Sequence, residues 1–280
     1  QGRREGVILS TKNHYYGEDE AEWRGHLENS LERLQVDRID IYNTHGVNAE
    51  RLESAVAPRI IHWLRAARDE GSIRFVCTSY HGDAAGLHTV IDSGLYDVVT
   101  VQYNLLDRSM AEPIAHAHEA GMGVVVMGPV GGGRLGLPND AFEGVVPGVD
   151  RVPELALRFV LANPAVSVAL SGMSTMAQVE ENIATVDNDR PLSGEEHEAI
   201  EAHLTRLKKM ADLYCTGCRY CMPCPNGVNI PRVFDLYNQA RVYGLADHAR
   251  RAYARWGENE TSGGKRNSRA DACVRCGVCE

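Results

Sequence analysis

Six short β-rich apolar runs, each followed by a longer amphipathic stretch, constrain this chain more than any other feature. The runs lie at about Val7–Thr11, Arg38–Thr44, Ile73–Thr78, Val98–Gln102, Gly123–Met127 and Val166–Leu170. Helical patterns separate them. Glu20–Leu34 places Leu27, Leu31 and Leu34 on one face, and Arg59–Glu70 is closed by Gly71 as a C-terminal cap. The intervals admit little besides one crossover helix each, so the strands run mainly parallel and helices cover the outer face of the sheet.

A closed barrel of eight strand-helix units and an open doubly wound sheet both satisfy this pattern. They differ in where polar residues fall. Just past the carboxyl ends of the runs stand Lys12; Thr44 and His45; Ser79, Tyr80 and His81; Gln102 and Asn104; the turn Gly128–Gly133; and Ser171 with Gly172. Six strands thus deliver polar or glycine residues to one end. A barrel builds its site in that way, with phosphate held after the last two strands, whereas an open sheet gathers ligands at one switch point. The expected fold class is therefore α/β, a (β/α)8 TIM barrel. Six units are visible where eight are needed, and Gln1 leads almost directly into an apolar strand. The expectation is a barrel lacking its first two β/α units, whose open edge leaves residues 1–280 by themselves poorly stable and inactive.

Seven of the eight cysteines fall in two runs. Cys215, Cys218, Cys221 and Cys224 lie in C-T-G-C-R-Y-C-M-P-C-P, and Cys273, Cys276 and Cys279 close the chain. Three thiolates at intervals of three residues can wrap one face of an iron-sulfur cube, and a following Cys-Pro sends its sulfur to a second cluster. A disulfide framework suits a small secreted domain, not a chain of 280 residues without a secretion signal. Zinc is the closer rival, since paired Cys-x2-Cys knuckles also bind it, but zinc takes four ligands and these cysteines come in threes. Clusters of the [4Fe-4S] type are the expected cofactor. The second run stops at Glu280, before a Cys-Pro of its own, as though this end too were cut. Between the runs, Ile230–Trp256 reads as two helices broken near Gly244, and Glu195–Leu213 as an amphipathic helix leading into the tail. Cys77, in an apolar run, reads as a small core residue.

Composition excludes other classes. With 44% hydrophobic and 24% charged residues the chain is of ordinary globular type. Its longest apolar runs, such as Gly123–Val130, are far too short to cross a bilayer, so a cytoplasmic protein with no membrane partner is expected. A formal net charge of −9 gives no general attraction for nucleic acid.

The motifs S-T-K-N at 10–13, D-R-I-D-I-Y-N-T-H at 37–45, V-Q-Y-N-L-L-D at 101–107, M-G-P-V-G-G-G at 127–133 and S-G-M-S-T-M-A-Q-V-E-E-N at 171–182 occur in that order. Together they resemble an aldo-keto reductase, and residues 211–280 resemble the α-helical ferredoxin-like tail of that family's iron-sulfur branch. The resemblance implies a partial barrel over 1–210 and a cluster domain over 211–280. It also implies hydride transfer between NADP or NAD and a small carbonyl or alcohol substrate. It places the catalytic lysine at Lys12 and the catalytic histidine at His45, with an Asp and a Tyr expected ahead of residue 1. Ser79 and Gln102 match positions that hold the nicotinamide carboxamide, and Gly131, Gly132 and Gly133 let backbone amides approach a pyrophosphate. Ser174, Glu181 and Asn182 match the adenosine segment, Ser174 opening a helix. Residues 171–182 contain no Lys or Arg, where the family commonly pairs the 2′-phosphate, so NADP is not favoured over NAD. In the tail, Cys215, Cys218 and Cys221 would hold one cube, and Cys273, Cys276 and Cys279 the other with Cys224, giving two clusters in the full-length protein. Nicotinamides pass two electrons as hydride and clusters pass one at a time. The clusters are therefore expected to serve a separate redox partner, a sensing role or structure. Two alternatives stand beside this reading: a non-catalytic nucleotide-binding redox sensor or electron carrier, and a barrel with a zinc-stabilised tail.

Overall fold

The computed structural model describes residues 4–188, 190–209, 221–256, 261–262, 265–266, 268–277 and 279; Cys215 and Cys218 lie outside the described residues. They form two compact units. One comprises the described residues of 1–133 and 156–191, the other those of 134–155 and 192–280. Segment 134–155 and the helix Gly194–Lys209 belong to the second.

The first unit is built on six strands, β1 (Ser10–Asn13), β2 (Ile39–Val47), β3 (Ile73–Tyr80), β4 (Val98–Gln102), β5 (Gly123–Met127) and β6 (Val168–Leu170). They pair in chain order and every pair is parallel. Among the described residues β1 and β6 do not pair with each other, so the sheet is an open arc of six strands. Crossover helices α1 (Glu20–Leu34), α2 (Ala49–Arg51), α3 (Ile61–Asp69), α4 (Ala84–Asp92) and α5 (Ala111–Glu119) lie between consecutive strands, with α6 (Val152–Leu161) and α7 (Met176–Asp187) flanking β6. Strands β4 and β5 have the bounds read from sequence, while β1 starts three residues later than expected. Residues before Ser10 turn aside because Asp40 takes the Leu9 amide at 2.9 Å and the Arg4 guanidinium at 2.8 Å.

Two helix expectations change. Helix α1 buries Trp23 and Leu27, and Leu34 is 42% exposed, so its core stripe runs through Trp23 instead of ending on Leu34. The segment read as starting at Arg59 begins ten residues earlier, at Ala49. Asn48 caps α2 by accepting from the Arg51 amide at 2.9 Å, and the nine-residue π-helical stretch Leu52–Ile60 carries Pro58 into α3. Proline has no amide to donate, and its ring collides with the usual i−4 carbonyl, so a widened turn accommodates it. Gly71 closes α3 as expected, at φ +85°.

Along each strand, side chains alternate between the two faces. On one face Cys77, Val98 and Val125 pack together with Ile41. A polar network crosses the same face. Asn43 Nδ2 donates to Ser10 Oγ and to the Thr11 carbonyl at 3.0 Å each, while Asn43 Oδ1 accepts from Cys77 Sγ at 2.9 Å and Thr100 Oγ1 at 3.3 Å. One amide thus ties four neighbouring strands. Cys77 is the core residue expected, and burial pushes its thiol up to about 12.

In the second unit α8 (Gly194–Lys209) is followed by α9 (Ile230–Arg241) and α10 (Ala246–Arg255). Leu236, Ala249 and Trp256 form the core of that pair. The break falls at Gly244, which has φ +67° and whose added Cβ would stand 3.0 Å from Asn139 Oδ1. Asn139 Nδ2 donates to the adjacent Tyr243 carbonyl at 2.8 Å. Two short antiparallel strands, β7 (Thr261–Ser262) and β8 (Lys265–Arg266), follow. Among the described residues no helix is long and apolar enough to cross a membrane.

Candidate functional site

Parallel pairing sets the site. Lys12 stands opposite Asn43 and Asn43 opposite Cys77; two residues further along, His45 stands opposite Ser79 and Ser79 opposite Thr100. Lys12, His45 and Ser79 are therefore gathered at the carboxyl ends of β1, β2 and β3. His45 is exposed, yet loss of water on the side against the sheet lowers its pKa, and the charges of Lys12, His81, His14 and Arg51 lower it further. Near neutral pH the ring is thus an uncharged imidazole.

The surroundings of His45 are fixed by groups the sequence did not single out. Gly46 takes φ +75°, its amide donates to Ser79 Oγ at 3.0 Å, and its carbonyl accepts from Arg51 Nη1 at 2.8 Å. Tyr16 Oη donates to the His45 carbonyl at 2.7 Å, and the Arg51 guanidinium lies 4.8 Å from the centre of the Tyr16 ring. His81 meets His45 edge-on, with ring centres 6.5 Å apart. Neither nearby tyrosine is set up as an acid. Burial raises the Tyr16 pKa, and Tyr15 Oη accepts the Asp19 amide at 3.0 Å.

Of the positions matched to a cofactor, Ser79 is fully buried, with its oxygen engaged by Gly46. Gln102 is exposed; its amide nitrogen reaches Asp107 Oδ2 at 3.3 Å, beside a cavity of about 150 Å³ also lined by Tyr80, His81 and Met110. Gly131, Gly132 and Gly133 take φ +61°, +65° and +88°. A Cβ on Gly132 or Gly133 would meet nothing within 4 Å, so backbone conformation, not space, demands glycine there. Ser174 lies one residue outside the helix it was expected to open. Thr175 is the N-cap of α7, and its partner Gln178 also takes the Ser174 amide at 2.7 Å. Glu181 is exposed, and Asn182 Nδ2 donates to Ser171 Oγ at 3.0 Å.

Asn104, fully buried, accounts for the V-Q-Y-N-L-L-D motif. Its Oδ1 accepts from the Leu106 and Asp107 amides at 3.0 Å each, and its Nδ2 donates to the Gly128 carbonyl at 2.9 Å. It joins the β4 loop to the start of the glycine-rich turn. Asn104→Ala leaves these buried groups without partners and is expected to cost about 2–3 kcal/mol, measured as a shift in urea midpoint at constant m-value. A shift within about 0.5 kcal/mol would show that water replaces the side chain.

A groove of about 840 Å³ lies at the opposite end of the sheet and is lined by Arg4, Asp37, Arg38, Asp40 and Arg74 among others. Barrel chemistry belongs at the carboxyl face, and Arg4 and Asp40 neutralise each other.

In the second unit Cys221, Cys224, Cys273, Cys276 and Cys279 all line one cavity of about 440 Å³, with Val228, Ile230, Val233 and Phe234 as apolar wall. Cys221, assigned from the resemblance to the other cube, shares this wall. Asn226 Nδ2 lies 4.0 Å from Cys276 Sγ, and the Arg275 amide 3.4 Å from Cys273 Sγ. The thiols are ranged around a space. Among the described residues no three His, Cys, Asp or Glu side chains converge as ligands of a single ion.

A profile of the Aldo/keto reductase family matches residues 1–141 and 147–205. The chain belongs to the aldo/keto reductase family. Among curated relatives it is similar to L-galactose dehydrogenase of Arabidopsis thaliana, 29% identical over 211 residues that cover 67% of this chain and 65% of that protein. It is also similar to NADH-specific methylglyoxal reductase of Escherichia coli (strain K12), 27% identical over 207 residues covering 61% and 63%. This aldo/keto reductase chain thus spans about two thirds of the length of these two relatives. Among solved structures, aldo-keto reductase AKR11C1 from Bacillus halodurans in its holo form superposes with a TM-score of 0.63 at 29% identity, covering 72% of this chain and 74% of that one. The family shown is one of oxidoreductases, and the open arc of parallel strands agrees with its barrel.

Proposed function

We propose that this chain carries the reacting-oxygen and dinucleotide-binding face of an NAD(P)-dependent reductase of small carbonyl compounds, joined to a cysteine-rich segment that holds a [4Fe-4S] cluster. The observation that carries the reductase reading is the placing of Lys12 and His45 at the carboxyl ends of adjacent parallel strands, near enough for the Lys12 charge to lower the His45 pKa. A bound nicotinamide supplies hydride to the carbonyl carbon. The carbonyl oxygen then becomes an alkoxide, so it needs positive charge and hydrogen-bond donors aimed at it. His45 donates an imidazole N–H to that oxygen, and the Lys12 ammonium stabilises the developing charge. The family resemblance assigns the proton to a tyrosine made more acidic by the lysine; the placement of Tyr15 and Tyr16 suits neither to that role.

Gly131–Gly133 fit the dinucleotide. Gly132 and Gly133 are exposed and their positive φ angles keep that part of the turn free of side chains, which would let a phosphate approach its backbone; the Gly131 and Gly133 amides donate to the Gly128 and Val130 carbonyls and hold the turn's shape. Gln102, exposed at the end of β4, would orient the carboxamide, while Ser79, buried against the Gly46 amide, would hold the loop behind it; Ser174, Glu181 and Asn182 would border the adenosine half. No Lys or Arg lies within 171–182 to pair a 2′-phosphate. NADH is accordingly the preferred donor, in line with the NADH-specific relative. The cysteine cavity fits a cluster better than a lone ion, since a cube needs its ligands spread around a volume.

The test is reduction of a small aldehyde by the natural protein using NADH deuterated at C4 of the nicotinamide. Deuterium is expected at the carbinol carbon of the product. An alcohol product free of deuterium, or no alcohol at all, rejects the reductase reading.

A further inference from the structure

The end of the sheet that carries His45 gathers two basic side chains, Lys12 and Arg51, in a chain whose formal net charge is −9. Lys12, His14, Arg51 and His81 all lie near enough to His45 for their charges to act on it. Three carboxylates of these loops are committed elsewhere, and Glu50 and Glu53, exposed beside Arg51 in the chain, form no ion pair with it. Asp19 caps α1 through the Ala21 amide, Asp83 caps α4 through the Gly86 amide, and Glu18 faces Arg59 at 3.9 Å. Arg51 has no carboxylate partner among the described residues. It is nevertheless held in place, by the Gly46 carbonyl at 2.8 Å and by the face of the Tyr16 ring. A guanidinium anchored through one N–H and one ring face keeps further donors in a rigid fork, the geometry that suits a carboxylate.

We propose that Arg51 receives an anionic group of the substrate, so that the carbonyl or hydroxy compound handled at Lys12 and His45 is one that carries a carboxylate. This rests on the reductase reading for its chemistry but not for the anion site itself. The cofactor's own phosphates are not the anion concerned. The turn matched to them follows β5, three strands from β2, and strands are spaced about 4.8 Å apart, so roughly 14 Å separates the two places. Hydride transfer leaves the carboxylate unchanged. Arg51 orients the substrate and takes no proton.

The test compares benzoate with benzamide, its neutral isostere, as ligands of the wild type, R51A and R51K at fixed salt and saturating NADH. Reduction of 4-carboxybenzaldehyde and 4-carbamoylbenzaldehyde by the natural protein forms a separate arm. Benzoate is expected to bind roughly ten- to hundredfold more tightly than benzamide, the worth of a charge-assisted contact. R51A loses that preference and R51K keeps part of it, and the carboxylated aldehyde is favoured through KM and not kcat. Equal affinity for the two ligands, or a preference undiminished in R51A, overturns the proposal and leaves Arg51 as a support for Gly46 and Tyr16. A benzoate preference that depends on Arg51, with neither aldehyde reduced, rejects the reductase reading and sustains the anion site.

Discussion

Lys12→Met is expected to lower kcat/KM for carbonyl reduction by about 10²–10⁴-fold, the range for losing a group that serves proton transfer or charge stabilisation in the transition state. The side chain stands at the end of β1 opposite Asn43, and the Asn43 amide grips the Thr11 carbonyl next to it, so the strand end is fixed whichever residue occupies position 12. The variant should therefore fold. It should also report on His45. Burial is the first cause of that residue's lowered pKa and the Lys12 charge the second, so removing the charge raises the value part of the way back toward 6.5. The sign fixes the pH dependence of stability. A lowered value makes the folded chain the poorer proton acceptor, so stability declines as pH falls from about 6.5 through the lowered value. The decline is smaller in Lys12→Met. Proton NMR of the His45 ring in both proteins measures the shift directly. An unmoved titration together with unchanged kcat/KM would separate Lys12 from the site.

Cys276→Ala is the second large effect. Anaerobically purified natural protein is expected to contain [4Fe-4S] clusters, and the substitution removes the iron and sulfide of the one bordered by Cys224, Cys273 and Cys279, about four irons per chain. Cysteine-cluster bonds form only in the folded chain, so their energy supports folding. In α9 and α10 the apolar cluster beside the cysteine cavity is Leu236, Ala249 and Trp256 with Val233, Ala240, Ala252 and Tyr253 against it, and Val233 also walls the cavity. Cys276→Ala should consequently make 221–279 the first region cut by a protease. Cys77→Ser serves as the control, because Cys77 lies buried in the sheet of the other unit and should leave the iron content unchanged. Zinc without sulfide in the wild type would turn the tail into a metal staple with no redox role.

The parts of this architecture legible in the sequence are those set by local chemistry. β4 and β5 have the bounds their apolar runs announce, and Gly71 and Gly244 end their helices through positive φ. Cys224, Cys273, Cys276 and Cys279 share one cavity as their grouping implies, whereas Cys221, assigned to the other cube, lines it too. What could not be read depends on partners distant in the chain. The start of β1 is displaced by Asp40, thirty-one residues from Leu9. Asn43, Cys77 and Thr100 become a network only once β2, β3 and β4 are in register. The helix read as Arg59–Glu70 begins earlier because a π-helical stretch takes in Pro58, which an ordinary α-helix would not. Arg51 sits in a three-residue helix with no periodicity to mark it, and its orientation is set by Gly46 and Tyr16.

The central claim is that a nicotinamide held at the carboxyl end of the sheet delivers hydride beside Lys12 and His45. It is tested most directly by NMR cross-relaxation between NADH and the histidine rings of the protein. The account predicts transfer from the nicotinamide C4 protons to His45, absent when NADH is displaced by excess NAD+. NADH that binds without approaching His45, or that does not bind at all, would contradict it.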